Sequence, residues 1–309
     1  MKRRTFLLGG VGVLAAWDMR ALAGTAPYTD MPAAAARRPG RAVPAQIRKG
    51  HLVIIGGAED RTGDKLILRR FVELTARVEP QIAVLTAASA FPDLVWGRYD
   101  EVLTDLGVER RAYLSVNTPD DCNDPALVAQ IMQSDGVLIT GGDQRRLMAL
   151  IGGSAIEHAI LHVHQTQGAC IAGTSAGASA MSRYMLAGRA VSDGMGLVQN
   201  AIIDQHFSQR HRLPRLLSAI AGRPQLIGIG IDENTALIVT RGQSIDVIGE
   251  GSITLVDGHR LAHPNDDIDP DMLMQMPEMQ VMQLSQGTSY RADAGVDAPE
   301  ALRDILPLL

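Results

Sequence analysis

The chain has 309 residues, of which 46% are hydrophobic and only 4% aromatic, with a formal charge of −5. That length suits one sizeable α/β domain or two small ones, with a core built from Ala, Val, Ile, Leu and Met. The acidic balance argues against a nucleic-acid partner, which favours a basic face; a cationic substrate stays open, because site charge and net charge are separate quantities.

Residues 1–23 read as an export signal. Lys2-Arg3-Arg4-Thr5-Phe6-Leu7-Leu8 sets paired arginines ahead of an apolar stretch that reaches Trp17, and Ala21-Leu22-Ala23 offers small residues to a signal peptidase. The stretch is shorter than the roughly 20 residues of a spanning helix, so no stable membrane anchor is expected. Twin arginines before Phe and Leu resemble a twin-arginine signal, which predicts cleavage after Ala23 and a periplasmic or secreted product. A disordered basic tail is the alternative. Residues 24–47, rich in Ala, Pro, Gly and Arg, read as a linker, leaving 48–309 as a single α/β domain.

Structure is expected to start at His51. Leu52-Val53-Ile54-Ile55 is a continuous apolar run stopping at Gly56-Gly57, as a strand buried on both faces would. The pattern then predicts a helix over 65–78, with Leu66, Phe71 and Leu74 on one face, a strand over 82–86 and a helix over 94–106. A strand over 112–116, a helix over 124–133 and a strand over 136–140 follow, ending at Gly141-Gly142-Asp143-Gln144. Such alternation predicts a doubly wound, mostly parallel sheet with helices on both faces and chemistry at the carboxyl ends of its strands. Segments 236–240, 244–249 and 252–256 read as antiparallel strands that extend or flank it. The two cysteines, Cys122 and Cys170, are too few for a disulfide framework and lack metal-ligand spacing; both are expected as free thiols, Cys170 buried.

The strongest local signal is Gly173-Thr174-Ser175-Ala176-Gly177, with an apolar strand running in and a small-residue helix running out. A nucleophile on a sharp strand-to-helix turn needs strained backbone angles and neighbours without Cβ atoms. The helix N-terminus behind it presents free N–H groups to an oxyanion, with Ala176 as the natural first donor and Gly142 as the second. A glycine-rich turn of a phosphate-binding protein fits the same residues.

A serine hydroxyl attacks poorly without a base. Of eight histidines, His158, His162 and His164 cluster on a predicted helix with Glu157, where a solvated face is preferred to a metal site; His259 lies in a predicted turn. His206 follows Ala201-Ile202-Ile203, at the end of another predicted strand, and is the candidate base. Glu233, ending the apolar run Gly228-Ile229-Gly230-Ile231, is the candidate for orienting the imidazole; Asp232 would point the opposite way if the strand persists, and Asp193 is a fallback. The order Ser, His, acid differs from that of ordinary α/β-hydrolases and argues for another hydrolase fold.

Together, Gly56-Gly57-Ala58-Glu59, Thr140-Gly141-Gly142-Asp143-Gln144, the Ser175 motif, Asp204-Gln205-His206-Phe207 and Gly230-Ile231-Asp232-Glu233-Asn234-Thr235-Ala236 resemble the signature blocks of the cyanophycinases. These belong to the serine peptidase family that also holds the α-aspartyl dipeptidases. The resemblance, which spans about residues 50–257, implies a glutamine-amidotransferase-like α/β fold with an antiparallel C-terminal extension. It implies Ser175 as nucleophile, His206 as base, Glu233 as orienting acid, Gly142 and Ala176 as oxyanion donors, and no metal or organic cofactor. Gln144, Asp204 and Gln205 match positions lining the substrate site, and Arg210, Arg212 and Arg215 resemble the spaced arginines of cyanophycinases. Pro214 departs from the usual glycine and puts the loop presenting Arg215 in doubt.

The implied substrate is cyanophycin, a poly-aspartate backbone with arginine on each side-chain carboxyl. The arginines could take its carboxylates bidentately and Asp204 its guanidinium groups. An aspartyl or isoaspartyl dipeptidase and a non-catalytic exported binding protein are the rival readings, and a homodimer stays open.

Overall fold

Short runs of Ile, Val, Leu and Ala form strands in the middle of the molecule, because only there can both faces of a strand be buried. The computed structural model describes residues 50–188, 190–264, 269–291 and Leu302, all within the unit Gln46–Leu309. The export signal over 1–23 and the linker over 24–47 lie outside the described residues.

In chain order the elements are β1 (His51–Ile55), α1 (Leu66–Leu74), β2 (Gln81–Leu85), α2 (Pro92–Asp105), β3 (Arg110–Leu114), α3 (Pro125–Met132) and β4 (Gly136–Ile139). There follow α4 (Gln144–Ile151), α5 (Ala155–His162), β5 (Cys170–Thr174), α6 (Ala176–Met181), β6 (Ser182–Ala187), β7 (Ala190–Asp193) and β8 (Val198–Gln205). The rest are α7 (Leu213–Ala221), β9 (Ile227–Ile231), β10 (Thr235–Thr240), β11 (Ser244–Gly249), β12 (Ser252–Asp257), α8 (Pro270–Leu273), β13 (Gln280–Ser285) and β14 (Ser289–Arg291).

The fold is α/β, with two sheets. An eight-stranded sheet runs β14-β11-β10-β1-β5-β4-β2-β3. Its β1, β5, β4, β2 and β3 are parallel, and β10, β11 and β14 continue it antiparallel. A six-stranded sheet runs β13-β12-β9-β8-β6-β7, parallel only across β6, β8 and β9. The sequence reading placed 236–240 and 244–249 correctly as antiparallel extensions. The strand over 252–256 instead joins the second sheet, with the strands that end near His206 and Glu233. Periodicity reports that a strand is buried, not which sheet it enters.

Both sheets feed one core. Ile171 of β5, Ala178 of α6, Ile203 of β8, Ile229 of β9 and Ile253 of β12 are fully buried in a single apolar cluster, and each buried Ile contributes roughly 1.5–3 kcal/mol relative to exposure. Every residue of α6 is buried, so its small side chains set how closely it can approach the strands. A Cβ on Gly177 would stand 2.2 Å from the Ile139 carbonyl oxygen.

One predicted face needs correction. In α1 the buried residues are Ile67, Leu68, Phe71 and Leu74, while Leu66 is 45% exposed. The apolar stripe follows the spacing 67, 68, 71, 74, which leaves Leu66 beyond its edge. Leu94 is likewise exposed, and α2 buries Tyr99, Val102 and Leu103. His158 and His162 face solvent, and His164 is buried with Nδ1 3.1 Å from the Ala169 carbonyl oxygen. Among the described residues no His, Cys, Asp and Glu group is arranged to hold a metal. Cys122 and Cys170 are both buried free thiols.

Candidate active site

Ser175 stands between the carboxyl end of β5 and the first residue of α6, with φ 52° and ψ −112°. That backbone is strained for a residue with a side chain, at a cost of order 1–3 kcal/mol. Neighbouring strands hold it there. β1 and β4 flank β5, pairing Ile55 with Thr174 and Ile139 with Gly173, and the Ser175 N–H donates to the Ile55 carbonyl at 3.0 Å.

His206 follows β8 and Glu233 follows β9, two paired strands of the second sheet. The loop after β1 draws them to the serine. Gly56 accepts from the His206 N–H at 2.8 Å, and Gly57 accepts from the Asn234 N–H at 2.9 Å. Gly57 has φ +98°, and a Cβ there would lie 2.5 Å from His206 Cε1, so only glycine lets the imidazole sit this close. The result is a continuous chain: Ser175 Oγ lies 2.8 Å from His206 Nε2, and His206 Nδ1 lies 2.6 Å from Glu233 Oε1. Since a carboxylate only accepts, the Nδ1 proton belongs to this bond and Nε2 is left as acceptor for the hydroxyl. Burial pushes the imidazole below its ordinary pKa; the Glu233 bond opposes this shift, and the charges of Arg210 and Arg212 add to it. The group is therefore a neutral base near neutral pH.

Gly142 ends the β4 turn with φ +149°, and a Cβ on it would collide with the Ala88 carbonyl oxygen at 2.1 Å. Among the described residues no backbone acceptor takes the N–H of Gly142 or of Ala176. Gly141 packs against the nucleophile turn, its ideal Cβ position 3.7 Å from Ser175 Oγ. The turn after β4 and the start of α6 thus both abut the serine.

Residues 52–248 match the model of Peptidase family S51. The chain belongs to that family. It is 35% identical over 232 residues to the cyanophycinase of Nostoc sp. (strain PCC 7120 / SAG 25.82 / UTEX 2576), covering 72% of this chain and 78% of the relative. It is 33% identical over 231 residues to the cyanophycinase of Geminocystis herdmanii (strain PCC 6308), covering 71% and 85%. A solved peptidase from an acI-B1 Actinobacterium shares the fold, with TM-score 0.63 at 20% identity over 79% of this chain and 98% of that one. The protein is accordingly a serine-type peptidase.

In this S51 peptidase the remaining predicted site residues divide. Although β9 ends at Ile231, Asp232 is engaged away from the imidazole: it accepts from the N–H of Ser208 at 3.0 Å, and from the N–H and hydroxyl of Ser252 at 3.0 and 2.9 Å. Its carboxyl is held below the usual range, burial being outweighed by these donors. Asp193 is not brought to His206; it is exposed at the end of β7 opposite Tyr184. Gln144 opens α4 and donates to the Leu186 carbonyl at 2.7 Å.

Asp204 requires a reassignment. It is fully buried and accepts from Arg212 Nη1 at 2.8 Å, from Arg215 Nε at 3.0 Å and from Arg215 Nη2. The expectation that it receives a substrate guanidinium fails, because the protein's own arginines occupy it. Gln205 is drawn into the same knot, its backbone and side-chain oxygens both accepting from Arg212. Only Arg210 of the three is exposed, with no ion pair among the described residues. Pro214 fits its place: it lies in the first turn of α7, where no N–H is needed.

Three contributors escaped the sequence reading. Gly57 cradles the imidazole, Gln209 Oε1 accepts from the Glu233 N–H at 3.0 Å, and Asn234 Oδ1 accepts from the Asp60 N–H at 2.9 Å. Gly57 and Asn234 stood within the recognised blocks, but nothing local revealed what they touch.

Proposed function

We propose that this peptidase hydrolyses the Asp–Asp backbone amide of cyanophycin from a chain end, releasing β-Asp-Arg dipeptides through an acyl-enzyme on Ser175. The observation that carries the reading is the Ser175–His206–Glu233 chain, with bonds of 2.8 and 2.6 Å, in a protein about a third identical to cyanophycinases. Ser175 Oγ attacks the amide carbonyl while His206 Nε2 takes its proton, and Glu233 stabilises the imidazolium that forms. The N–H groups of Gly142 and Ala176 receive the oxyanion. His206 then returns the proton to the leaving amine, and water, activated by the same base, frees the acyl group. Arg210, Arg212 and Arg215 offer positive charge to the polymer's carboxylates, the last two from an orientation fixed by Asp204. The amino-terminal residues 1–23 serve as an export signal, so that the enzyme acts on polymer outside the cytoplasm.

The test is release of soluble dipeptide from insoluble polymer, with products identified by mass. Ser175→Ala lowers that release by about 10⁴-fold or more while polymer binding persists; turnover surviving in this variant overturns the nucleophile assignment. Preference for short Asp-X peptides over polymer would select the dipeptidase reading instead.

A further inference from the structure

The end of β1 and the loop after it contact the segments that carry Ser175, His206 and Glu233. Successive carbonyls of Ile55, Gly56 and Gly57 accept from the N–H groups of Ser175, His206 and Asn234, the last adjoining Glu233. The Asp60 N–H then donates to Asn234 Oδ1. Between these backbone contacts lies one side chain that reaches the nucleophile segment. Glu59 Oε2 accepts from the Thr174 hydroxyl at 2.6 Å, immediately before Ser175. Glu59 Oε1 accepts from the Tyr99 hydroxyl of α2 and faces Arg61 Nε at 3.5 Å.

This carboxylate is enclosed: the Glu59 side chain has no solvent exposure, and Tyr99 is 3% exposed. Burial first, and then Glu59, pushes the Tyr99 phenol well above its ordinary pKa, so it remains a neutral donor. The Arg61 guanidinium lies 5.4 Å from the Tyr99 ring centroid and supplies the counter-charge. A buried carboxylate is a poor device for stability, since apolar residues of like volume commonly serve as well or better. What an apolar residue cannot supply is a directed acceptor for the Thr174 hydroxyl, next to a serine whose backbone is strained.

We infer that Glu59 is a positioning residue for the nucleophile: braced by Tyr99, its carboxylate fixes Thr174 and through it the angle at which Ser175 leaves β5. The inference rests on Ser175 being the nucleophile. A displacement on the ångström scale from a residue outside the reacting atoms can cost about 100-fold in rate.

The experiment compares Glu59→Gln, Thr174→Val and Thr174→Ser in the full chain. It reads the second-order rate of Ser175 labelling by a fluorophosphonate, kcat and KM on the polymer, and the thermal midpoint. Glu59→Gln keeps the shape but turns one acceptor into a donor; Thr174→Val removes the hydroxyl at nearly constant volume. Both label about 10- to 100-fold more slowly and lose kcat in step. KM stays within about twofold, because binding of the ground state is untouched. Thr174→Ser, which keeps the hydroxyl, labels within about threefold of the parent. Should Glu59→Gln fail to fold, the Thr174 pair decides. A folded Thr174→Val that labels at the parent rate overturns the inference, as does a lowered thermal midpoint with unchanged rates. So does a Thr174→Ser as slow as Thr174→Val. A parent protein that does not label at all overturns the assignment of Ser175, and the inference with it.

Discussion

The two sheets build their halves of the site by different means. Around Ser175, in the eight-stranded sheet, close backbone approach carries most of the support and the buried Glu59 carboxylate adds to it: Gly57 lies under the imidazole, Gly142 against Ala88 and Gly177 against Ile139. At the ends of β8 and β9, in the six-stranded sheet, the parts are held by buried charge. Asp204 ties Arg212 and Arg215, and Asp232 ties Ser208 and Ser252. The first kind of support is rigid and intolerant of a single methyl group. The second is directional and sensitive to a change of charge at constant shape.

Gly57→Ala strikes the first kind hardest. Its Cβ would meet the ring atoms of His206 at 2.5 and 2.6 Å, at a φ of +98° that alanine rarely adopts. Fluorophosphonate labelling of Ser175 falls by about 100-fold or more as the imidazole is displaced, whereas Gly153→Ala, with nothing within 4 Å of its Cβ, leaves labelling unchanged. A parent-like rate in Gly57→Ala would refute the close-approach account.

The same alternation of apolar runs and glycine turns that made the strand ends legible also singled out Ser175, His206 and Glu233, each standing just beyond a strand. The family resemblance, by contrast, offered Asp204 to the guanidinium groups of a substrate, and only the folded chain reveals that the start of α7 returns Arg212 and Arg215 onto it.

Asp204→Asn tests the second kind of support. The amide keeps the shape and leaves two guanidinium groups without a counter-charge. Stability falls by about 2–3 kcal/mol in urea unfolding, below the range for a fully buried pair because the Arg215 side chain is 24% exposed. Labelling of Ser175 changes much less than in Gly57→Ala, since the hydrogen bonds of the Asp204 carboxylate go to Arg212 and Arg215 and not to Ser175 or His206; an equal loss in both would erase the distinction between the two sheets.

The smallest effect is a shift in pH dependence. His206 must be neutral to act as base, so kcat/KM rises with pH through its pKa. The positive charge of Arg210 is among the causes that lower that pKa. Arg210→Gln removes this charge, the imidazolium becomes easier to form, and the acid limb moves to higher pH. Added salt moves the limb of the parent in the same direction by screening the exposed charge. A limb that moves to lower pH, or does not move, contradicts this electrostatic reading of Arg210.

By itself the sequence determined the α/β class, the strand ends at which chemistry gathers, and the glycines that let backbone fold sharply there. These depend on side-chain period and on allowed backbone angles, both local properties. Only the tertiary structure decided that the strands ending near His206 and Glu233 form a second sheet, that Gly57 lies under an imidazole 149 positions away in the chain, and that Asp204 serves the protein's own arginines. Strand pairing and the neutralisation of buried charge join residues far apart in sequence, and their partners become defined only when the chain closes upon itself.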